Sequence, residues 1–251
     1  FGKKEIEFLG FKIADGKKSP SDEKSKIFAN FPVPTSKRLL KGFLGLANYV
    51  RHLIPDFAEL ARPLFRASNL KKFHWSDECD ANFRILKDKL SSGPVVFLPN
   101  WDAPFIVTTD ASEFGMGAVL YQEIDGERKV IEFMSKSFTD TERRYATIEK
   151  EATAILVALE KWQHYLLGRE VTVETDHKPL IWLLSKKDCA GKLGRMALRL
   201  QEFYIKGIEH VKGEDNLLAD TLSRIEVCLI GAAPSAPSDK LRSLMAKDPN
   251  R

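Results

Sequence analysis

Three acids in this chain stand where a cation-dependent reaction could use them. Asp110 and Asp176 each close a β-branched run, PFIVTTDAS (104–112) and EVTVETD (170–176), with the same Thr-Asp ending. Carboxyl ends of neighbouring strands meet along one edge of a sheet, where ligand sites tend to form. A lone strand-end Asp is ordinarily a cap or turn residue; a repeated Thr-Asp ending weakens that explanation. The third acid comes from a helix. Ile148, Ala152, Ile155, Leu159 and Trp162 make an apolar stripe with steps of 4, 3, 4 and 3. At roughly 100° per residue, Glu151 lies about 60° from the centre of that stripe, and Glu149 about 100° away on the other side. Glu151 is thus at the margin of the packed face, while Glu149 and Lys150 turn towards solvent. Asp220, in LLADTLSR between the i, i+4 partners Leu218 and Leu222, is a fourth candidate.

Carboxylates brought close together repel and desolvate badly unless positive charge lies between them. Hard oxygen donors of this kind suit Mg²⁺ or Mn²⁺. Two such ions roughly 4 Å apart can activate a water and stabilise a leaving oxygen in phosphodiester cleavage. Other chemistries find no footing. The histidines, at 52, 74, 164, 177 and 210, show neither HExxH nor zinc-ligand spacing. There is no P-loop, no GxGxxG after a strand and no GxSxG elbow. The glycines of GMGAV (115–119) read as permitting a close strand turn or backbone approach.

The elements that must position these acids follow from pattern. The 251 residues are 43% hydrophobic and 29% charged, enough to bury a sizeable core. Cys79, Cys189 and Cys228 are odd in number and not closely paired, which argues against a disulfide framework and for a reducing compartment. The run Ala152–Leu159 is far short of the ~20 apolar residues that span a bilayer. The chain opens FGKKEIEFLG, without Met and in mid-pattern, as expected of a piece of a longer polypeptide. Charge is uneven. Residues 1–100 hold 18 Lys+Arg against 11 Asp+Glu, and residues 101–251 hold 21 against 24. That asymmetry fits a clamp for a polyanion beside an acidic, cation-using site, or mere drift in surface charge.

Residues 5–13 read as one strand followed by an ADG turn. A short helix is expected over 19–31, capped by Ser21 or Asp22. A longer helix follows Thr35 or Ser36, with Leu39, Leu40, Phe43, Leu44, Ala47 and Tyr49 at helical spacing. Further helices are expected over 56–67 and 76–91, the latter with Cys79, Phe83, Leu86 and Leu90 on one face. From 101 the pattern becomes strands at 104–112, 115–124 and 129–138 and one long helix over 142–167. After it come a strand at 170–176, a short helix, a helix at 192–206, a strand at 208–213 and a closing helix. This order predicts an α/β fold, one mixed five-stranded sheet flanked by helices. The residues after 226 read as a linker.

The stretches TTDASEFGMGAVL, RRYATIEKEATAIL, TDHKPL and HVKGEDNLLADTLSR together resemble the ribonuclease H domain of gypsy-type LTR retrotransposon Pol polyproteins. FLGFKIADG and KRLLKGFLGLANYVRHLIPDFAELARPL resemble the end of the reverse transcriptase palm, the thumb and the start of the connection. The resemblance implies a ribonuclease H-like fold preceded by a smaller, mainly helical thumb/connection region. It divides the chain into 1–70 (palm end and thumb), 71–100 (connection), 101–226 (ribonuclease H-like) and a flexible tail, 227–251. It implies a metal-binding tetrad of Asp110, Glu151, Asp176 and Asp220 holding two Mg²⁺, with Mn²⁺ as a substitute. The implied reaction is hydrolysis of the RNA strand of an RNA–DNA hybrid. The implied partners are that hybrid and the remainder of the polyprotein, with no membrane, in the cytoplasm (a virus-like particle) or the nucleus. The oligomeric state stays open. The paired-aspartate polymerase motif does not occur in this chain. Met196 stands where the family's RWAL-like segment carries Trp, and His210 falls on a strand rather than in a mobile loop.

Lys37, Arg38, Lys41 and Arg51 around the GFLGLANY helix, and Lys192, Arg195 and Arg199 on a later one, could form basic stripes that grip phosphates without reading sequence. Trp75, Trp101, Trp162 and Trp182 read as core. Two rival functions remain: a catalytically silent, domesticated hybrid-binding fragment, and a transposase- or integrase-type nuclease.

Overall fold

Among the described residues two large hydrophobic clusters and a small third one organise the molecule, and a single strand borders all three. The structure is a computed structural model that describes residues 3–55, 57–181 and 191–211.

The first region opens with a meander, β1 (Glu5–Phe8), β2 (Phe11–Ala14) and β3 (Lys17–Pro20), all antiparallel, closed by the short β4 (Val96–Phe97) on β3. The strand expected over 5–13 is therefore two strands. Leu9 and Gly10 both take positive φ, 50° and 70°, and make a two-residue hairpin turn; Asp15 and Gly16 repeat it at 48° and 70°. Leucine at such a φ carries no sequence signature, which is why the turn was missed.

Four helices follow: α1 (Asp22–Asn30), α2 (Lys37–Tyr49), α3 (Phe57–Asn69) and α4 (Asp77–Ser91). Serines start three of them. Ser21, Ser36 and Ser76 accept hydrogen bonds from the backbone N–H of Lys24, Leu39 and Cys79, satisfying orphan donors of the first turn. α4 buries Cys79, Phe83, Leu86 and Leu90, the face that its spacing predicts. α2 buries Leu40, Phe43, Leu44 and Ala47, but Leu39 and Tyr49 stay exposed. The helices close over Phe28, Phe43 and Phe83, whose rings meet edge to face or tilted.

The second region is a mixed sheet of β5 (Phe105–Ala111), β6 (Gly115–Ile124), β7 (Glu127–Ser137), β8 (Val171–Thr175) and β9 (Ile205–His210). Among the described residues its order is β7-β6-β5-β8-β9. β5, β6 and β7 are antiparallel neighbours; β8 runs parallel to both β5 and β9. The hairpin between β6 and β7 turns on Asp125 and Gly126, at φ 56° and 77°. The helix expected over 142–167 is three pieces: α5 (Asp140–Arg143), α6 (Thr147–Lys161) and α7 (Gln163–Leu166). Thr139 and Glu142 form a capping box that confines α5, and Ala146 is extended before α6 begins. Trp162, fully buried, sits at the break between α6 and α7. α8 (Gly191–Leu200) ends six residues earlier than the helix expected to reach 206. β9 accordingly starts at Ile205, not 208, and pairs it with Val171.

The two regions meet along β7. Val130 and Phe133 pack against the helical cluster and also against Val119 and Tyr121 of the sheet. Arg51 donates to the Ser135 carbonyl at 2.8 Å, and the Ala58 N–H donates to Ser135 Oγ at 2.9 Å. No helix among the described residues is long and apolar enough to cross a membrane.

Candidate active site

Asp110 is the penultimate residue of β5, and Asp176 directly follows β8. Because these strands are parallel neighbours, their carboxyl ends bring the two acids together. Glu151 lies on the second turn of α6. The carboxylate oxygens of Asp110, Glu151 and Asp176 lie within 4.8 Å of one another. Asp110 is 3% exposed and Glu151 4%, while Asp176 is half-buried. Three of the four acids singled out by type and spacing are thus assembled. Asp220 lies outside the described residues, as do Trp182 and the tail from 227.

Local structure holds each acid in place. The His177 N–H donates to Thr175 Oγ1 at 3.2 Å, tightening the turn that carries Asp176. Glu149 turns away from the cluster: its carboxylate accepts the Ala146 N–H at 3.1 Å, which explains why Glu151 and not Glu149 faces the sheet. After Asp110 the chain turns through Ser112, whose Oγ accepts from the N–H groups of Phe114 and Gly115. A Cβ on Gly115 would stand 3.0 Å from the Lys136 carbonyl, a tight contact that favours glycine where β6 approaches β7.

The donor set fits a hard divalent cation. Two carboxylates nearly out of water, close to each other and to a third, are costly without compensating charge, and all three offer oxygen ligands suited to Mg²⁺ or Mn²⁺. Around the cluster, Lys150 donates to the Glu113 carbonyl at 3.3 Å, and Arg143 lies over the Phe114 ring.

The basic stripes divide. Arg38, Lys41 and Arg195 are exposed. Arg51 is also exposed as a residue, but its Nη2 joins the two regions at the Ser135 carbonyl, and partial burial pulls its guanidinium below its ordinary pKa. Lys37 donates to the Lys71 carbonyl at 3.0 Å, and Arg199 pairs with Glu160. Trp162 is in the core of the sheet region and Trp75 is half-buried against the separate helical cluster, but Trp101 is 51% exposed, beneath Arg169 and beside Tyr165. Sequence reasoning missed Glu174, a second acid in VTVETD that β8 buries to 8% exposure. The available signal was a charge at an interior position of a short β-branched strand.

The second region has a ribonuclease H fold. Residues 100–203 match the RNase H-like domain found in reverse transcriptase, and this part of the chain belongs to that family. The chain is 39% identical over 231 residues to the retrovirus-related Pol polyprotein from transposon 297 of Drosophila melanogaster, covering 90% of this chain and 21% of that protein. It is 35% identical over 259 residues to the Pol polyprotein from transposon gypsy of the same organism, covering 97% of this chain and 24% of that protein. The chain therefore spans about a fifth to a quarter of the length of these relatives. In three dimensions it is similar to a foamy viral protease-reverse transcriptase solved in complex with an RNA/DNA hybrid. The TM-score is 0.72 at 22% identity, over 94% of this chain and 31% of that one, a likeness of fold.

Proposed function

We propose that this chain is an endoribonuclease that hydrolyses the RNA strand of RNA–DNA hybrids, as part of a retrotransposon reverse transcriptase polyprotein. The observation that carries the reading is the gathering of Asp110, Glu151 and Asp176 within 4.8 Å at the carboxyl edge of the sheet. Two Mg²⁺ ions, or Mn²⁺ in their place, would supply Lewis-acid charge to the attacking water and the leaving oxygen. Asp110 and Glu151, held by a strand and a helix and nearly out of water, would keep their oxygens fixed with little reorganisation. Asp176 is the most accessible of the three and stands where a substrate phosphate can approach. Asp220, outside the described residues, would be the fourth ligand on the strength of its place in LLADTLSR alone. The reaction adds water across a phosphodiester bond and leaves a 3′-hydroxyl and a 5′-phosphate. The ribose 2′-OH is the chemical difference by which the RNA strand can be chosen. Exposed Arg38 and Lys41 on α2 are suited to backbone phosphates of the same duplex. The reading places the protein inside the cell, in a cytoplasmic particle or the nucleus, with the rest of the polyprotein as its partner.

The test is incubation of the purified chain with an end-labelled RNA–DNA hybrid in Mg²⁺. Cleavage of the RNA strand that disappears with chelator and with Asp110→Asn supports the reading. Tight binding without cleavage would instead make it a silent binding module. Preferential cutting of duplex DNA would make it a transposase- or integrase-type nuclease.

A further inference from the structure

A second carboxylate is buried in the sheet two residues before Asp176. In the parallel register of β5 and β8, Glu174 stands opposite Thr108, itself two residues before Asp110. Thr108 Oγ1 donates to Glu174 Oε2 at 2.6 Å, and the Tyr121 hydroxyl, from β6, donates to the same oxygen at 2.7 Å. Arg128, from β7, brings Nη2 to 3.7 Å from Oε1 and lays its guanidinium 4.9 Å from the centre of the Tyr121 ring. One side chain thus links β5, β6, β7 and β8. Burial, reinforced by the bond to Glu174, pushes the Tyr121 hydroxyl well above its ordinary pKa, so it stays a donor.

This network lies where the ladder runs out. The last paired residues of β5 and β8 are Thr109 and Thr175. Asp110 and Asp176 come next, beyond the rungs, so the gap between their carboxylates depends on how far the two strand ends splay or slide. The Thr108–Glu174 bond crosses the ladder one rung before that end. One rung earlier Val107 meets Val173, an apolar pair that fills its position with no charge to desolvate. Stability alone would favour such a pair opposite Thr108 as well, because a buried carboxylate is unfavourable unless fully partnered.

We propose that Glu174 is a positioning residue, which through Thr108 and Tyr121 sets the separation of Asp110 and Asp176 at which the acid cluster holds a divalent cation. The proposal rests on reading that cluster as a metal site. Groups that orient metal ligands from behind typically change metal affinity about 10- to 100-fold when removed.

The experiment is calorimetric titration of the full 251-residue chain with Mn²⁺, beside hybrid cleavage as a function of Mg²⁺. Glu174→Val should weaken Mn²⁺ binding by about 10-fold and raise the Mg²⁺ needed for half-maximal cleavage by a similar factor, with KM for the hybrid unchanged. Glu174→Gln keeps an acceptor for the hydroxyls and should stay within about 3-fold of the unmodified chain. Thr108→Val and Tyr121→Phe each remove one donor and should weaken Mn²⁺ by about 3-fold; they decide the matter if Glu174→Val does not fold. Unchanged Mn²⁺ affinity in the folded variants overturns the proposal, as does an equal loss in the Gln and Val variants. An unmodified chain that binds no Mn²⁺ overturns it too. If Mn²⁺ binds in a Glu174-dependent way but no hybrid is cut, the nuclease reading fails and the positioning role stands. If hybrid is cut and Glu174 leaves metal affinity untouched, the reverse holds.

Discussion

The helical first region and the mixed sheet of the second solve the same packing problem with opposite uses of charge. Around Phe43 the rings of Phe28, Phe31 and Phe83 fill the core, with centroids 6.4, 5.2 and 4.7 Å away, and no acid of these helices is as buried as those of the sheet: Asp22, Glu23, Asp77 and Glu78 are exposed and Glu59 and Asp80 half-buried. In the second region Asp110, Glu151 and Glu174 are buried at 3, 4 and 8% exposure, near the carboxyl ends of β5 and β8 or facing them. A carboxylate in low dielectric loses hydration worth several kcal/mol, so a fold keeps it only with compensating partners or for a function that needs it. The difference teaches where to look for chemistry: not in the larger net charge, which the first region holds, but in the charge that folding takes out of water.

That contrast yields separable expectations. Asp110→Asn should lower hybrid cleavage by about 1000-fold or more, the several kcal/mol that cation-assisted charge stabilisation supplies, while leaving the thermal midpoint near its original value. Phe43→Ala should do the reverse. Loss of a fully buried ring costs about 3–5 kcal/mol, read as a lower urea midpoint, and should leave the specific activity of the folded fraction in place. If Phe43→Ala instead weakens Mg²⁺ activation, the two regions are coupled more tightly than contact along β7 implies.

Much of this division was legible in the residues. Ser36, one of two expected starts, begins α2, the spacing of Cys79, Phe83, Leu86 and Leu90 gives the face of α4, and the repeated Thr-Asp endings locate two of the gathered acids. Helical angles chose Glu151 over Glu149; Glu151 lies beside Asp110 and Asp176, while the carboxylate of Glu149 is taken up by the Ala146 N–H. What stayed hidden depends on contacts far away in sequence. Leu9 turns a hairpin that no propensity announces, and the apolar stripe runs unbroken through Trp162 although the helix stops there. β4, two residues long, is a strand only because β3 offers an edge. Glu174 was missed because its partners, Thr108 and Tyr121, lie 66 and 53 residues away. Asp220 lies outside the described residues.

A smaller effect tests the junction. His52 lies against Phe11, and Lys18 Nζ donates to its Nε2 at 3.0 Å. Burial, then the charge of Lys18, outweigh the pull of nearby Glu132, with Lys161 opposing protonation too, and bring His52 down to about 4 from 6.5. A group whose folded pKa is depressed leaves stability intact above its unfolded value. Below pH 6.5 the unfolded chain takes up a proton that the folded chain refuses until about pH 4, so stability should decline across that window and level off beneath it. Urea midpoints measured from pH 8 to pH 4 should show the slope, and His52→Gln should flatten it. A slope that survives the substitution would assign it to carboxylates instead.

The smallest effect concerns the charges that the first region keeps in water. Arg38 and Lys41 are exposed on α2, and Gly42 and Gly45 leave open space beside them. A phosphate contact made by one lysine contributes about one unit to the slope of log affinity against log salt. Lys41→Gln should therefore weaken hybrid binding uniformly across sequences and reduce that slope by about 1, as read by fluorescence anisotropy over a salt series. The same substitution should leave Mn²⁺ affinity at the acid cluster unchanged, because Lys41 is exposed on a helix outside the sheet that carries the cluster, and salt screens exposed charges. A slope that does not move would remove α2 from the duplex track and leave the acid-bearing sheet to grip its substrate without it.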